Sequence, residues 1–422
     1  MTLNLFIRKV LFVIAIIFIY RLGTYITIPS VNPLLLDYFV NNFNSGLLEI
    51  MNSFSGGAIK NISIFTIGIM PYITASIIIQ MLSLFNGKLK ELKESGEKGQ
   101  IKLNQYTRYI TFTIAFFQAI TICSYLVKSN VEGIPIITTD PVSFMIIGTM
   151  SLITGTIFLL WLAEKITEYG IGSGVSMLIL ASILSTLPNT YSNFKELYQM
   201  GNISTLGMLL ILGIILSLFV LSVIFETANR RIKLSGSDSY IQDNHYLPLK
   251  VNLAGIMPPI FAMTLFMFPL SFNSAISNML GFDIFLFFQN YLGHSAIIGM
   301  IIFSSLILLF SYIYSKVVFD PKKVADQLKN SGNYLRGIRP GKPTEDYLNN
   351  IRKRITFIGS IYMILICLIP QIMVDYFSIP FYLGGTSILI IVIIALEWNN
   401  KYKMIEENKK VHKYRNKLMN KF

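Results

Sequence analysis

The stretch NISIFTIGIMPYITASIIIQMLSLFNG, residues 61–87, contains no charged side chain. An α-helix needs about 20 apolar residues to cross the hydrocarbon layer of a bilayer, and this run is longer than that. Proline is favoured in the first turn of a helix, where its missing N–H group is not needed. Gly68 and Pro71 therefore predict the start of a long membrane-spanning helix, with a segment of different structure before it.

Further runs without charge follow this stretch along the chain. Eight of them have lengths between 19 and 32 residues: 109–127, 141–163, 169–194, 197–225, 251–282, 284–315, 355–374 and 376–396. A tenth candidate, 10–29, precedes the stretch and is apolar apart from Arg21, whose long side chain could reach water. Ten membrane spans are predicted, with Pro188 and Asn189 in the connection after the fifth.

The composition excludes several classes of protein. Of 422 residues, 53% are apolar and 14% are charged, and the mean hydropathy is +0.59. A soluble enzyme or a disordered chain would be far less apolar. An outer-membrane barrel would show short alternating segments instead of long runs. A helical membrane protein remains.

The basic residues predict the orientation of the spans. With the N-terminus in the cytoplasm, 31 of the 35 lysines and arginines fall in cytoplasmic segments. Lys60, Lys128 and Lys195 fall in external segments, and Arg21 falls in the first span. Because positive charge is enriched in cytoplasmic loops, both chain termini are predicted to be cytoplasmic.

Two of the cytoplasmic loops, 226–250 and 316–354, are much longer than a connection between adjacent helices requires. Long ordered loops are usually functional, so we expect a docking surface for a cytoplasmic partner. Contact with anionic lipid headgroups is the alternative role of their charge.

Few side chains in the predicted spans could support catalysis or ion coupling. The charge-free runs contain no carboxylate pair or proton relay, and the chain lacks a P-loop and an HExxH motif. Cys123 and Cys367 lie in predicted spans and are expected to pack in the core. We therefore expect a passive conduit, with no catalysis, cofactor or metal. A secondary transporter built from inverted repeats and a scaffold or lipid scramblase are the alternatives.

Six blocks of the sequence resemble the SecY family, which also includes the Sec61 alpha subunits and forms the channel of the Sec protein translocase. The blocks appear in family order and are FSGGAIKNISIFTIGIMPYITASIIIQML (54–82), ESGEKGQIKLNQYTRY (94–109), TGTIFLLWLAEKITEYGIGSG (154–174), LPLKVNLAGIMPPIFA (247–262), FDPKKVADQLKNSGNYLRGIRPGKPTEDYL (319–348) and PFYLGGTSILIIV (380–392).

This resemblance implies an all-α integral membrane protein in which ten helices form two inverted five-helix halves around an hourglass pore. The N-terminal half would span residues 1–190, with a short plug at about 46–60. The C-terminal half would span 191–400 and carry both long cytoplasmic loops, followed by a basic cytoplasmic tail at 401–422. A lateral gate would lie between spans two/three and seven/eight.

The resemblance also implies a function. The chain would pass unfolded, signal-bearing polypeptides across a bacterial-type inner membrane and release transmembrane helices sideways into lipid. An organellar membrane is the alternative location. The implied partners are SecE, SecG, the SecA ATPase and the ribosome, with YidC and SecDF as further candidates, besides the preprotein and membrane lipids.

Site residues follow from the motifs that match. The pore ring would comprise Ile69, Ile73, Val175, Ile179, Ile260 and Ile390, and the plug would include Ser55, Gly56 and Gly57. Polar residues of the lateral gate would be Thr74, Gln80, Gln118 and Asn252, for which hydrogen bonding between helices is the alternative role. Docking of SecA or the ribosome would use Arg339, Arg230, Arg231 and Lys250.

Overall fold

A computed structural model of the chain describes residues 2–32, 55–128, 130–131, 134–201, 204–236, 246–267, 297–377 and 384–419. The helices are α1 Thr2–Gly23, α2 Met70–Phe85, α3 Gly87–Glu94, α4 Glu97–Lys128, α5 Pro141–Tyr169, α6 Gly174–Gln199, α7 Thr205–Thr227, α8 Met257–Met267, α9 Ile297–Val318, α10 Pro321–Asn330, α11 Lys342–Phe377 and α12 Gly385–Met419. The strands are β1 Asn130–Val131, β2 Ile134–Pro135, β3 Asn229–Gly236, β4 Tyr246–Lys250 and β5 Asn333–Leu335.

Each of the ten predicted spans overlaps a helix, namely α1, α2, α4, α5, α6, α7, α8, α9, α11 or α12. By length and composition, α4, α5, α7, α9 and α11 could each cross a membrane, while α2 and α8 are apolar but shorter. The chain is therefore a multi-pass helical membrane protein.

The second span begins where the sequence predicts, because α2 starts at Met70 and has Pro71 in its first turn. The prediction for the fifth span is wrong at its end. Pro188 and Asn189 lie inside α6, which continues to Gln199. Proline removes one backbone hydrogen bond without always ending a helix in a membrane protein. The predicted boundary between the two halves, after residue 190, therefore falls within α6.

One buried apolar cluster connects helices from both predicted halves. It draws side chains from α1, α2, α5 and α6, and also from α7, α8, α9, α11 and α12. Close helix packing supports this core at two glycines, because a Cβ atom at Gly174 would collide with the carbonyl of Ala163, and one at Gly385 with that of Ile366. The halves therefore share a common interior.

A second apolar cluster contains side chains from residues 28–31, from residues 62–67, from α4 and α5, and from the connection between those two helices. Residues 26–32 pair with the segment after residue 55 and with the connection before α5, through the bridges Thr27–Ser63 and Val31–Ile137. Ile28 donates its N–H to Ile62, and Ile64 donates to Ile26, both at 3.0 Å. These bonds fix the segment 55–69 against the end of α1.

The two long loops form a single unit. β3 and β4 of the first loop are antiparallel, and β3 also pairs with β5 of the second loop, with Leu234 opposite Leu335. This three-stranded sheet packs on α11 through its own apolar cluster, which includes Ile232, Leu249 and Leu348. The described parts of the two loops therefore form one surface.

Candidate functional site

The six residues predicted for the pore ring belong to one apolar cluster. Ile69, Ile73, Ile179, Ile260 and Ile390 are buried in it, each with at most 7% of its surface exposed. Val175 is half-buried and packs against the same cluster. One connected cluster thus contains residues that lie more than 300 positions apart in sequence.

Four helices carry these residues, and they meet in two pairs. α2 contacts α8, and α6 contacts α12, so each pair joins one predicted half to the other. Ile69 immediately precedes α2, and its carbonyl accepts the N–H groups of Tyr72 and Ile73 at 3.1 and 3.2 Å. The position of Ile69 is therefore fixed by the first turn of α2.

The described part of the predicted plug, from residue 55 onward, is held at its start by side chains from two helices. Tyr20 of α1 donates its hydroxyl to the carbonyl oxygen of Ser55 at 2.9 Å, and Ser55 is 3% exposed. Arg21 Nη1 and Ser185 Oγ each lie 2.9 Å from the carbonyl oxygen of Gly56. Residues 46–54 of the predicted plug lie outside the described residues.

Gly56 occupies a position that only glycine fits. Its φ angle is +68°, in the left-handed region that other residues avoid. A Cβ atom there would lie 2.6 Å from the hydroxyl of Tyr20 and 3.0 Å from the Cα of Ser182. Gly56 therefore lies in a tightly enclosed turn, whereas Gly57 faces open space.

Two of the four polar residues predicted for the gate have hydrogen bonds that stay within their own helix. Thr74 donates to the carbonyl of Met70, and Gln80 donates to Ser76, both within α2. Gln118 is half-buried in α4. The hydrogen bonds described for Thr74 and Gln80 are therefore intrahelical, and they do not connect one gate helix to another.

Asn252 has a partner that sequence reasoning missed. Its Nδ2 atom donates to Oε1 of Glu226 at 2.6 Å and to the carbonyl of Gly255 at 3.1 Å, and its side chain is buried. This contact ties the end of α7 to the turn before α8. The sequence gives no signal for this pairing, because Glu226 is a single carboxylate at the end of an apolar run and belongs to no repeating pattern. The pairing becomes visible only in the folded structure.

The predicted docking residues are exposed on the sheet formed by the two loops or beside it. Arg230 and Arg231 lie on β3 and Lys250 on β4, and the guanidinium of Arg231 lies 4.9 Å from the ring centre of Tyr246. A cation above an aromatic face is stabilised by the ring electrons. These cations face solvent and can meet an anionic partner.

Arg339 lies in a turn between β5 and α11. Gly337 and Gly341 flank it with φ angles of +81° and +98°, and Thr344 donates its hydroxyl to the carbonyl of Arg339 at 2.9 Å. The backbone of this turn is therefore fixed while the guanidinium is exposed. Pairing of β5 with β3 places this turn in the same unit as the cations of the first loop.

Comparisons with known proteins agree with this architecture. The SecY family model matches residues 63–398. The protein translocase subunit SecY of Escherichia coli strain K12 is 38% identical over 398 residues, which cover 93% of this chain and 89% of that protein. It is named as a translocase subunit, and the alternative of a secondary transporter is not favoured.

Two solved structures share the fold. A protein-conducting channel superposes with a TM-score of 0.67 at 18% identity, over 94% of this chain and 91% of that one. Sec61 in the canine ribosome–channel complex superposes with a TM-score of 0.62 at 17% identity and the same coverage of both chains. Together with the family match, these similarities show that the chain belongs to the SecY family.

Proposed function

We propose that this chain is the central channel subunit of a Sec translocon. It passes unfolded, signal-bearing polypeptides across the membrane and releases transmembrane helices sideways into lipid. The observation that carries the proposal is one apolar cluster at α2, α6, α8 and α12, two helices from each predicted half. It contains the buried residues Ile69, Ile73, Ile179, Ile260 and Ile390, and the half-buried Val175 packs against it. Its role is that of a conduit, with energy supplied by a partner.

An apolar constriction suits a channel that must pass polypeptides and retain ions. Branched aliphatic side chains repel water from a narrow neck, which raises the free energy of an ion there. They also offer no directional hydrogen bonds, so a moving chain of any sequence can slide past them. The six side chains of the ring therefore act as a yielding seal.

In this proposal, the arrangement corresponds to a closed lateral gate. α2 contacts α8 directly, and these helices border the predicted exit towards lipid. A signal sequence would have to replace this contact with its own apolar surface. We propose that the gate opens through separation of α2 and α4, which contain the second and third spans, from α8 and α9, which contain the seventh and eighth.

The exposed cations of the loops serve cytoplasmic partners in this proposal. Arg339 docks SecA, while Arg230, Arg231 and Lys250 contact phosphates of ribosomal RNA. SecE and SecG complete the complex, and both chain termini lie on the cytoplasmic side of a bacterial-type inner membrane. The charge distribution along the sequence supports this orientation.

Reconstitution tests the proposal. The full chain is placed in proteoliposomes with SecE, and a preprotein, SecA and ATP are added outside. We expect the preprotein to become protected from protease only when all components are present. If the preprotein stays accessible while the vesicles take up a small solute without SecA, the chain is a secondary transporter and the proposal is wrong.

A further inference from the structure

We propose that Arg21 is a positioning residue that, with Tyr20 and Ser185, clamps the backbone of Ser55 and Gly56 and so holds this part of the predicted plug in the resting channel. This inference rests on the proposed channel function, because the plug has a role only in a channel. Arg21 is also the one charged residue that the sequence places within a predicted span, and neither the ring nor the docking surface uses it.

The clamp consists of three donors around two carbonyl groups. Tyr20 donates to Ser55, and Arg21 donates to Gly56, each at 2.9 Å. Ser185 Oγ lies 2.9 Å from the carbonyl oxygen of Gly56 and 2.7 Å from that of Ser182, so its single proton is shared between them. The charged guanidinium is therefore the strongest donor to Gly56.

The clamp also connects two helices through one atom. Arg21 belongs to α1 and Ser185 to α6, and both reach the carbonyl oxygen of Gly56. A carbonyl oxygen has two lone pairs and can accept both bonds. Because Gly56 has no side chain, Tyr20 and Ser182 can approach its backbone closely. The site thus explains why a glycine is needed there.

Further along the segment, two backbone bonds and one side-chain bond, from Asn61 Nδ2 to the carbonyl of Thr24 at 3.0 Å, make the attachment to the residues that follow α1. Ile64 donates its N–H to the carbonyl of Ile26, and Ile28 donates its own N–H to the carbonyl of Ile62. Backbone bonds of this kind depend little on side-chain identity. At Ser55 and Gly56, by contrast, side chains make the attachment, so substitution can weaken this end of the segment selectively.

Contact with Tyr25 is the alternative role of Arg21. The Nη2 atom of Arg21 donates to the hydroxyl of Tyr25 at 2.9 Å, and its guanidinium lies 4.9 Å from the centre of that ring. Tyr25 is 61% exposed. Tyr25→Phe removes this hydrogen bond and leaves the bond to Gly56, so it is a matched control for Arg21→Met.

Labelling of a buried thiol tests the clamp. The full chain carries Ser55→Cys and Cys367→Ala, and keeps Cys123, which is fully buried and reports on general loosening. Membrane vesicles without partner or substrate are treated with N-ethylmaleimide, and mass spectrometry follows both thiols. We expect Arg21→Met to raise the labelling rate at position 55 about tenfold, as loss of a bond from a charged donor predicts. Ser185→Ala should raise it less, and Arg21→Lys should restore slow labelling in part.

The outcomes distinguish the clamp from contact with Tyr25 and from general loosening of the helices. An unchanged rate in Arg21→Met, or an equal rise in Tyr25→Phe, would overturn the proposal. An equal rise in the labelling rate of Cys123 would also overturn it, because the helices around Cys123 would then have loosened as well. Protection of a preprotein in the reconstituted vesicles is then measured for the unchanged chain. Faster labelling in Arg21→Met together with no preprotein protection by the unchanged chain would uphold the clamp and contradict the channel function, so the two failures are distinguishable.

Discussion

The ammonium nitrogen of Lys323 lies 2.9 Å from Oε1 of Glu94, and this ion pair joins α10 to α3. α3 follows α2 directly, and α10 follows α9 directly. Among the ion pairs of the described residues, this one crosses between the predicted halves, whereas Arg108–Glu164 lies between α4 and α5 and Lys165–Glu168 lies within α5. It therefore lies beside the proposed gate, on the side that the charge distribution predicts to be cytoplasmic.

Reversal of one charge in this pair should favour the open gate. Lys323→Glu places two carboxylates beside each other, and we expect increased transport of precursors with defective signal sequences. Because both side chains are exposed, the effect should be modest and should shrink at high salt. Transport assays check it, with Glu94→Lys combined with Lys323→Glu as the control. If the double reversal does not restore normal selectivity, the pair does not act on the gate.

The same contact should depend on pH. The hydrogen bond from Lys323 and its charge lower the pKa of Glu94, and Lys90 lowers it further. A carboxyl with a lowered pKa stabilises the closed arrangement above its ordinary pKa and loses this contribution as pH falls through the lowered value. The efficiency of fluorescence energy transfer between labels on α3 and α10 should fall on acidification, because the two helices move apart. Glu94→Gln should abolish this dependence on pH, and an unchanged profile in that variant would contradict the assignment.

Arg339→Glu should abolish translocation driven by SecA without impairing insertion of the chain itself. A like-charge clash would replace an attraction at the exposed turn between β5 and α11, and transport should fall about tenfold or more. Protease protection of a preprotein measures this. Arg336 is also exposed in the same loop, so Arg336→Glu is the matched control. Wild-type transport by Arg339→Glu would remove Arg339 from the docking site.

Cysteine labelling should confirm the orientation. In a background without Cys123 and Cys367, Ser331→Cys should be protected from an impermeant thiol reagent in intact cells. Met200→Cys, which lies in the connection between α6 and α7 and is 71% exposed, should react. Disruption of the cells should expose both sites. Reaction at Ser331→Cys in intact cells would reverse the predicted topology.

The helices could be predicted from the sequence, and the reason is physical. A bilayer requires long apolar runs, so their number and position appear directly in the sequence. The start of α2 was also predictable, because Pro71 marks a first turn. Pro188 misled the prediction since a proline does not have to end a helix whose neighbours satisfy the freed carbonyl.

Contacts between distant segments were not predictable from the sequence. Leu234 and Leu335 face each other across β3 and β5, although a hundred residues separate them, and neither loop shows the alternation of a long strand. The bonds from Tyr20 and Arg21 to residues 55 and 56 likewise depend on how α1 packs. Resemblance to a family suggested the ring residues, because isoleucine is too common in this chain for periodicity to select them.

Resting conductance tests the central claim, that the six apolar side chains seal a channel. Ile390→Asn or Ile69→Asn places an amide in the buried ring, which costs about 1–3 kcal/mol when the amide lacks a partner and lowers the barrier to water. In planar bilayers we expect both variants to leak ions without substrate. Ile358→Asn, at a side chain that is 51% exposed on α11, should stay as tight as the unchanged protein. If Ile390→Asn and Ile69→Asn both conduct no more ions at rest than the unchanged protein, the assignment of the ring is wrong.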